Sequence, residues 1–446
     1  MFFKKIKLYF LIVNAFLFKE KKVIFASLIA GIVLFFAIGK LLPYIPRPKS
    51  VAKIGLVGNF TFEELPASII NLTSSGLTKI AADGSPLSSL ATWKVSADGK
   101  IYTFSLAQNI FWQDGTEVTS DQINYNFPAV TSQVLDKKTI QFSLKEPFAP
   151  FPNLLSTPIF KENFVGTGKY QIKRVLKKGD FVKQLFLVGP DKNIIFNFYP
   201  NQEVSFQAFK LNEIDTLSDV AVNFITVQWN PYVTVSEQIN KDQYIGIFLN
   251  LRDKTLGDKN LRQALAYATP KPTDETRALG PLSPNSWAYN PDVKAYKADA
   301  TTAKKLFEKF LEDAKIDKLS LQLNTTSNLL LEADQIKKSW QDILAIDTEI
   351  RIIDNINNDF QVLLITSQIP PDPDQYSFWH STQNTNLTGY KSPKVDKILE
   401  DARKLEIKDE RLEKYLDFQK FLLEDCPVIF LSHPATYEIK RRKISI

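Results

Sequence analysis

Two carboxylates, Asp372 and Asp374, stand two residues apart in a loop bracketed by Pro370, Pro371 and Pro373. Proline fixes φ and pushes the preceding residue extended, so this loop is stiff and non-helical. Tyr376, Phe378, Trp379 and His380 follow at once, and Tyr390 comes behind Gly389. A rigid loop with carboxylates and aromatics at a strand end reads as one wall of a binding cleft, its acids placed to receive a ligand cation. The other reading is a surface loop whose aromatics pack beneath it and whose aspartates make Asx turns. Trp287 and Tyr289 close a second irregular stretch, GPLSPNSWAY, and pose the same choice between cleft lining and packing.

Little else in the chain is suited to catalysis. His380 and His433 are the only histidines, and Cys426 is the only cysteine. That excludes a multi-histidine zinc site, a cysteine-cluster metal site and an intramolecular disulfide. With no paired-acid constellation either, the expectation is a binding protein and not an enzyme, with no metal or cofactor.

The elements that must position these residues can be placed from pattern. Residues 360–366, FQVLLIT, read as a buried strand leading into the loop. Beyond it, Ser392 as N-cap and Pro393 at the first position start a helix carrying Val395, Ile398, Leu399 and Ala402. Residues 77–150 read as a strand-rich block punctuated by Asp83-Gly84, Asp98-Gly99 and Asp114-Gly115 turns. Within it, Thr119 or Ser120 is expected to cap a helix carrying Ile123 and Phe127. Residues 166–199 add further strands. From 241 to 424 strands alternate with amphipathic helices, which argues an α/β lobe.

At 446 residues, 44% hydrophobic and 23% charged, the chain is globular and long enough for two or three domains. Its net charge of +6 is unevenly spread. Residues 1–50 hold nine of the 55 bases and one of the 49 acids, so that leader carries +8 and the remainder −2. The near-neutral body argues against a nucleic-acid partner. Residues 23–39 form an uncharged apolar run extended by Leu41 and Leu42, close to the roughly 17–25 residues that span a bilayer. Six lysines precede it, which orients residues 1–22 to the cytoplasm and the body outside. The apolar stretch 6–18 is read as a helix on the inner leaflet. Pro43, Pro46 and Pro48 then make a stiff stalk over 43–50. A cleaved signal peptide is the rival reading, but no small-x-small site follows Gly39, and no cysteine is available there for a lipid anchor.

The ordered set of motifs resembles the extracytoplasmic solute-binding proteins of peptide- and nickel-type ABC transporters, family 5. It is carried by residues 77–127 with their Asp-Gly turns and FWQDGT, by GTGKYQI at 166–172, by YIGIFLNL to LRQALAYA at 244–268, and by 280–289. The stretch from Asp372 to Asp396 and then DCPV at 425–428 completes it. The resemblance implies a two-lobed, periplasmic-binding-protein-like α/β fold of type II, and the apolar run places one transmembrane helix over 23–42 before it. It implies a first lobe over 51–240 with an extra strand-rich subdomain at 77–164, a second lobe over 241–424, and a return to the first lobe over 425–446.

The function implied is capture of a peptide-like solute in the cleft and delivery to ABC permease subunits; with the apolar run as its anchor, the protein is expected to be a monomer tethered to the cell membrane. Bound peptides in such proteins are held by backbone hydrogen bonds and water-filled side-chain pockets. The residues implied at the ligand are Trp287, Tyr289, Asp372, Asp374, Trp379 and Tyr390. Departures also stand out. Dipeptide-binding members keep an acid a few positions before the Asp-Pro-Asp, whereas Ser367 to Pro371 contains none. The segment between Ala268 and Gly280 is short, and the chain is helix-anchored where most members are secreted or lipid-anchored. These departures motivate an alternative, a scaffold that has lost transport and serves in envelope sensing or interaction.

Overall fold

The computed structural model describes residues 19–41, 49–221, 231–355 and 359–442. The chain separates into two compact units after Ser50. In the first unit, helix α1 (Lys21–Leu41) is long and apolar enough to cross a membrane, with mean hydropathy 2.2 over Lys21–Ile38. The expected surface helix at 6–18 and most of the proline stalk lie outside the described residues.

The second unit begins with β1 (Ser50–Val57) and the short α2 (Ala67–Ile70). A two-stranded ribbon, β2 (Thr78–Ile80) and β3 (Pro86–Ser88), leads to β4 (Ala91–Val95), β5 (Ile101–Leu106), β6 (Val130–Asp136) and β7 (Thr139–Leu144). The last four form their own sheet in the order β4-β5-β7-β6. Tyr102, Phe104 and Leu106 alternate along β5 with Ile140 and Phe142 opposite on β7, so one face of this sheet makes a core. Helix α3 (Phe151–Leu154) closes the subdomain.

The helix expected from Thr119 to Phe127 is instead a single 3-10 turn, Ser120–Gln122, with Ile123 already extended. Ile123, Tyr125 and Phe127 are spaced by two, a strand-like period, and Pro128 follows, so only a turn can form. Gln122 Oε1 instead accepts from the Trp112 indole at 2.8 Å and from Thr119 N at 3.1 Å.

The chain continues through β8 (Gln171–Lys178), β9 (Phe181–Val188), β10 (Lys192–Tyr199), α4 (Gln202–Lys210), β11 (Thr216–Val220) and β12 (Val233–Ile239). Strands β11 and β12 were not anticipated from pattern. Next come β13 (Gln243–Leu249), α5 (Lys259–Ala268), α6 (Ala300–Ala314), β14 (Ser320–Thr325), α7 (Leu330–Leu344), β15 (Asp347–Ile352) and β16 (Val362–Gln368). The four-residue α8 (Tyr376–Trp379), then α9 (Pro393–Ala402), α10 (Lys408–Asp425), β17 (Val428–Ser432) and β18 (Ala435–Arg441) complete it.

Two large sheets organise the lobes, β12-β18-β11-β1-β10-β9-β8 and β15-β14-β16-β13-β17. The second is buried on both faces: Ile245, Ile247 and Leu249 enter one core, Tyr244 and Phe248 the other. β16 divides likewise, with Val362 and Leu364 on one side and Leu363 and Ile365 on the other. Such a strand reads as a continuous apolar run, which is why it was visible in sequence. Helix starts follow their caps: Asp258 accepts from Leu261 N at 3.0 Å, and Ser392 caps α9 with Pro393 behind it.

Candidate functional site

Two strand pairs run from one lobe into the other. β12 pairs β18 in the first sheet, and their continuations β13 and β17 pair in the second. The crossing lies at 240–242 and 433–434. There Asn240 N donates to Pro434 O at 2.9 Å and His433 Nδ1 lies 2.7 Å from Gln243 O. His433 is 2% exposed, and burial pushes its pKa below the usual imidazole value. A crossing of two short segments is a natural hinge.

Beside this crossing, β16 runs past its neighbour. Its parallel ladder with β14 ends at Thr325–Leu364, while its antiparallel ladder with β13 continues to Gln243–Gln368. Asn250 N to Gln361 O and Ile369 N to Asp242 O fix the alternation of that ladder. The alternation turns the Ser367 backbone groups toward β13 and those of Thr366 and Gln368 away from it. Among the described residues no strand pairs with that outer side, which leaves a short edge open to an added strand. Next to it lies a recess of about 240 Å³ lined by Tyr244, Phe248, Ser367, Phe378, Trp379 and Thr388. A second recess, about 230 Å³, opens on the first-lobe sheet among Leu56, Ile69, Asp219, Gln238 and Glu438.

The six residues singled out from sequence fall in three places. Trp379 is 2% exposed, donates its indole N–H to Gln375 at 3.1 Å and lines the aromatic recess. Tyr390 is also 2% exposed; it packs in the second-lobe core and donates its hydroxyl to Asp425 at 2.7 Å. Tyr289 is half-buried and, like Trp287 and Leu412, packs against Leu282, Ala288, Ala402 and Tyr415, with its hydroxyl pKa raised by burial.

Trp287, Asp372 and Asp374 belong to a polar clamp between the strand-rich subdomain and the second lobe. Asp372 is buried; its Oδ1 accepts from Arg411 Nη2 at 3.1 Å and its Oδ2 from Asn153 of α3 at 3.0 Å. Asp374 accepts from Arg403 Nε at 3.0 Å. Burial pushes both carboxyls above the usual range, with Arg411 and Arg403 pulling the other way. The Arg403 guanidinium lies over Tyr376 and Phe148 at 4.2 and 4.7 Å, and its carbonyl accepts from Ala149 N. Trp287 donates its backbone N–H to Asp83 O at 3.0 Å, and Lys408 reaches Asp83 and Ser85. Tyr102 donates to Glu406 at 2.7 Å. Gly84, at φ +85°, is required here because a Cβ would collide with the Pro371 carbonyl.

Sequence reasoning found the loop but missed its partners. Arg403 is the C-cap of α9 and Arg411 lies on α10, neither among the residues singled out from sequence, and Asn153 carries no local signal at all. Arg411 was in principle visible, standing among Tyr415 and Phe418 on the apolar side of α10.

Flanking the clamp is a cavity of about 660 Å³ between Phe127, Val130, Leu144 and Phe148 of the subdomain and Tyr376 and Arg403 of the second lobe.

Comparison with known proteins bears on this arrangement. The family model for bacterial extracellular solute-binding proteins, family 5, middle region, matches residues 87–388. The dipeptide-binding protein of Escherichia coli is 22% identical, the alignment covering 79% of this chain and 81% of that one. The oligopeptide-binding protein AppA of Bacillus subtilis is 21% identical over 85% and 84%. Among solved structures, NikZ from Campylobacter jejuni in complex with Ni(L-His) superposes with TM-score 0.71 at 22% identity, covering 89% of this chain and 95% of that one. AppA from Bacillus subtilis in complex with a nonapeptide gives 0.69 at 19% identity, over 88% and 95%. These likenesses share the two-lobed α/β architecture, and the family match spans the strand-rich sheet, most of the second lobe and the clamp loop. The chain belongs to the bacterial extracellular solute-binding proteins, family 5.

Proposed function

We propose that this protein captures a peptide-like solute between its lobes and delivers it to the permease subunits of an ABC transporter. The observation that carries the reading is the overrunning end of β16. Thr366 and Gln368 present backbone donors and acceptors on an open edge, beside an aromatic recess and next to the hinge. An extended peptide can pair with such an edge, gaining affinity from main-chain hydrogen bonds while pockets sort its side chains. The names of the relatives, dipeptide- and oligopeptide-binding proteins, support the solute class.

Trp379 is assigned to the ligand's side chains. Trp287, Asp372 and Asp374 act by fastening the subdomain to the second lobe, with Tyr289 beside them and Tyr390 supporting the recess from beneath. Ser367 to Pro371 hold no acid, and both aspartates are committed to arginines. The α-ammonium of a peptide therefore finds no free carboxylate in this loop, and N-acetylated peptides should bind within about threefold of free ones. Helix α1 tethers the body as a single-pass anchor, N-terminus inside and the monomeric body outside.

Calorimetry and thermal shift against di- to octapeptides test this. Saturable binding with a raised melting point is expected, and silence of the folded protein across a diverse peptide library would sink it. A second reading, an envelope sensing or interaction protein that has lost transport, is favoured by one observation. The recesses of about 240 and 230 Å³ are each below the roughly 300–1,000 Å³ usual for ligand pockets. The same titration separates the two.

A further inference from the structure

The cavity flanking the clamp is used by neither reading, and its chemistry differs from that of the β16 edge. At about 660 Å³ it falls within the roughly 300–1,000 Å³ of small-molecule pockets. Its walls are apolar. Phe127, Val130, Leu144 and Phe148 are half-buried at its surface, and Leu154 is 41% exposed beside them. Apolar side chains left uncovered in a concavity between two bodies favour an apolar occupant.

The polar groups at its mouth add a sign. Lys145, Arg403 and Lys404 face it together with Glu146 and Glu400. Glu146 lies 3.9 Å from Lys100, whereas Glu400 lies 3.2 Å from His380, which offsets its charge only when the imidazole is protonated. Arg403 gives Asp374 its Nε alone, which leaves its two terminal nitrogens outside that ion pair. Lys145 and Lys404 form no ion pair among the described residues. With Arg403 offset by Asp374 and Glu146 by Lys100, Lys145 and Lys404 still outnumber Glu400, and Arg403 is already oriented by the two rings it stacks on. A guanidinium held in this way pairs well with a carboxylate.

We propose that this cavity is a binding site for an apolar carboxylate, its hydrocarbon part between the subdomain and Tyr376 and its anionic end at Arg403 and Lys404. Because its walls belong to both bodies, an occupant binds the clamped arrangement better than a separated one and stabilises it by mass action.

The test uses the full chain in lipid nanodiscs, with empty nanodiscs as the blank. 4-Phenylbutyrate is titrated by calorimetry beside 4-phenylbutylamine, which has the opposite charge on a similar body. The carboxylate should saturate and raise the melting temperature, and the amine should bind at least tenfold more weakly. Leu154→Trp, which fills the cavity from a partly exposed position, should abolish binding. Lys404→Glu, at an exposed position, should weaken it about tenfold even if the tryptophan variant folds poorly. Absence of saturation, equal binding of the amine, or a Lys404→Glu variant that binds like the parent would each overturn the proposal. Peptide titrations on the same samples report on the interlobe cleft separately, so failure of either site is recognised without the other.

Discussion

Removing the Asp372 carboxylate would leave Arg411 buried without its counter-charge, and Asn153 would lose an acceptor across the interface. Breaking a buried pair by deleting one partner costs about 3–5 kcal/mol. Asp372→Ala should lower the unfolding free energy by roughly that amount in urea titrations. Asp372→Ala with Arg411→Met should recover most of the loss, since no lone charge then remains buried. If the double variant is as unstable as the single one, the pair is not the source of the cost. His433 makes a pH-dependent contribution of the opposite kind. Its folded pKa is lowered by burial, so the unfolded chain takes up the proton first. Its contribution to stability is therefore present above about pH 6.5 and lost as pH falls through the lowered folded value. His433→Gln should flatten the stability profile between pH 7 and 5, read from melting temperatures across that range. At this scale sequence revealed which residues were unusual, the Pro-Asp-Pro-Asp loop and its aromatics. It could not reveal that the aspartates face inward to arginines 29 and 39 positions later, because ion pairs between distant segments have no local periodicity.

The end of β16 behaves as an element, and two neighbouring prolines distinguish its edges. Thr366→Pro deletes an N–H that points away from β13, so the sheet should survive while peptide affinity falls at least tenfold by calorimetry. Ser367→Pro deletes one that points at β13 and should lower the melting temperature instead. Equal effects of the two on affinity would count against the open edge as the docking strand. Elements with strong local grammar were legible in the sequence. β13 and β16 are apolar runs, α5 and α9 announce their caps, and Asp-Gly turns join β2 to β3 and β4 to β5. The failures were of two sorts. The turn at 120–122 began with a genuine capping pair, but the following spacing of two overrode it. β11 and β12 were missed because they are short and partly polar, TLSDV and VTVSEQI, and gain their order from pairing with β18.

Across the whole molecule, order along the chain and order in space diverge at the crossing, and this is where a sequence reading depends on resemblance. The two-lobed arrangement was expected on that ground, whereas the clamp joining subdomain to second lobe was not. Helix α1 makes a separate claim at this scale. If it is a retained anchor, the full-length protein should stay with membranes through a carbonate wash and migrate at its full 50.8 kDa. A soluble product about 40 residues shorter would mean that the segment is removed.

The position of β18 has a consequence for how the protein is made. This strand, ending at Arg441, lies between β11 and β12 in the first-lobe sheet. The second lobe, complete by Ser432, is meanwhile an insertion whose strands all come from within 243–432. During synthesis the inserted lobe can therefore condense while the earlier-made one still waits, two of its strands holding a gap that only residues 435–441 can fill. The half that begins first finishes last, and until then its unpaired strand edges are what a chaperone would have to cover.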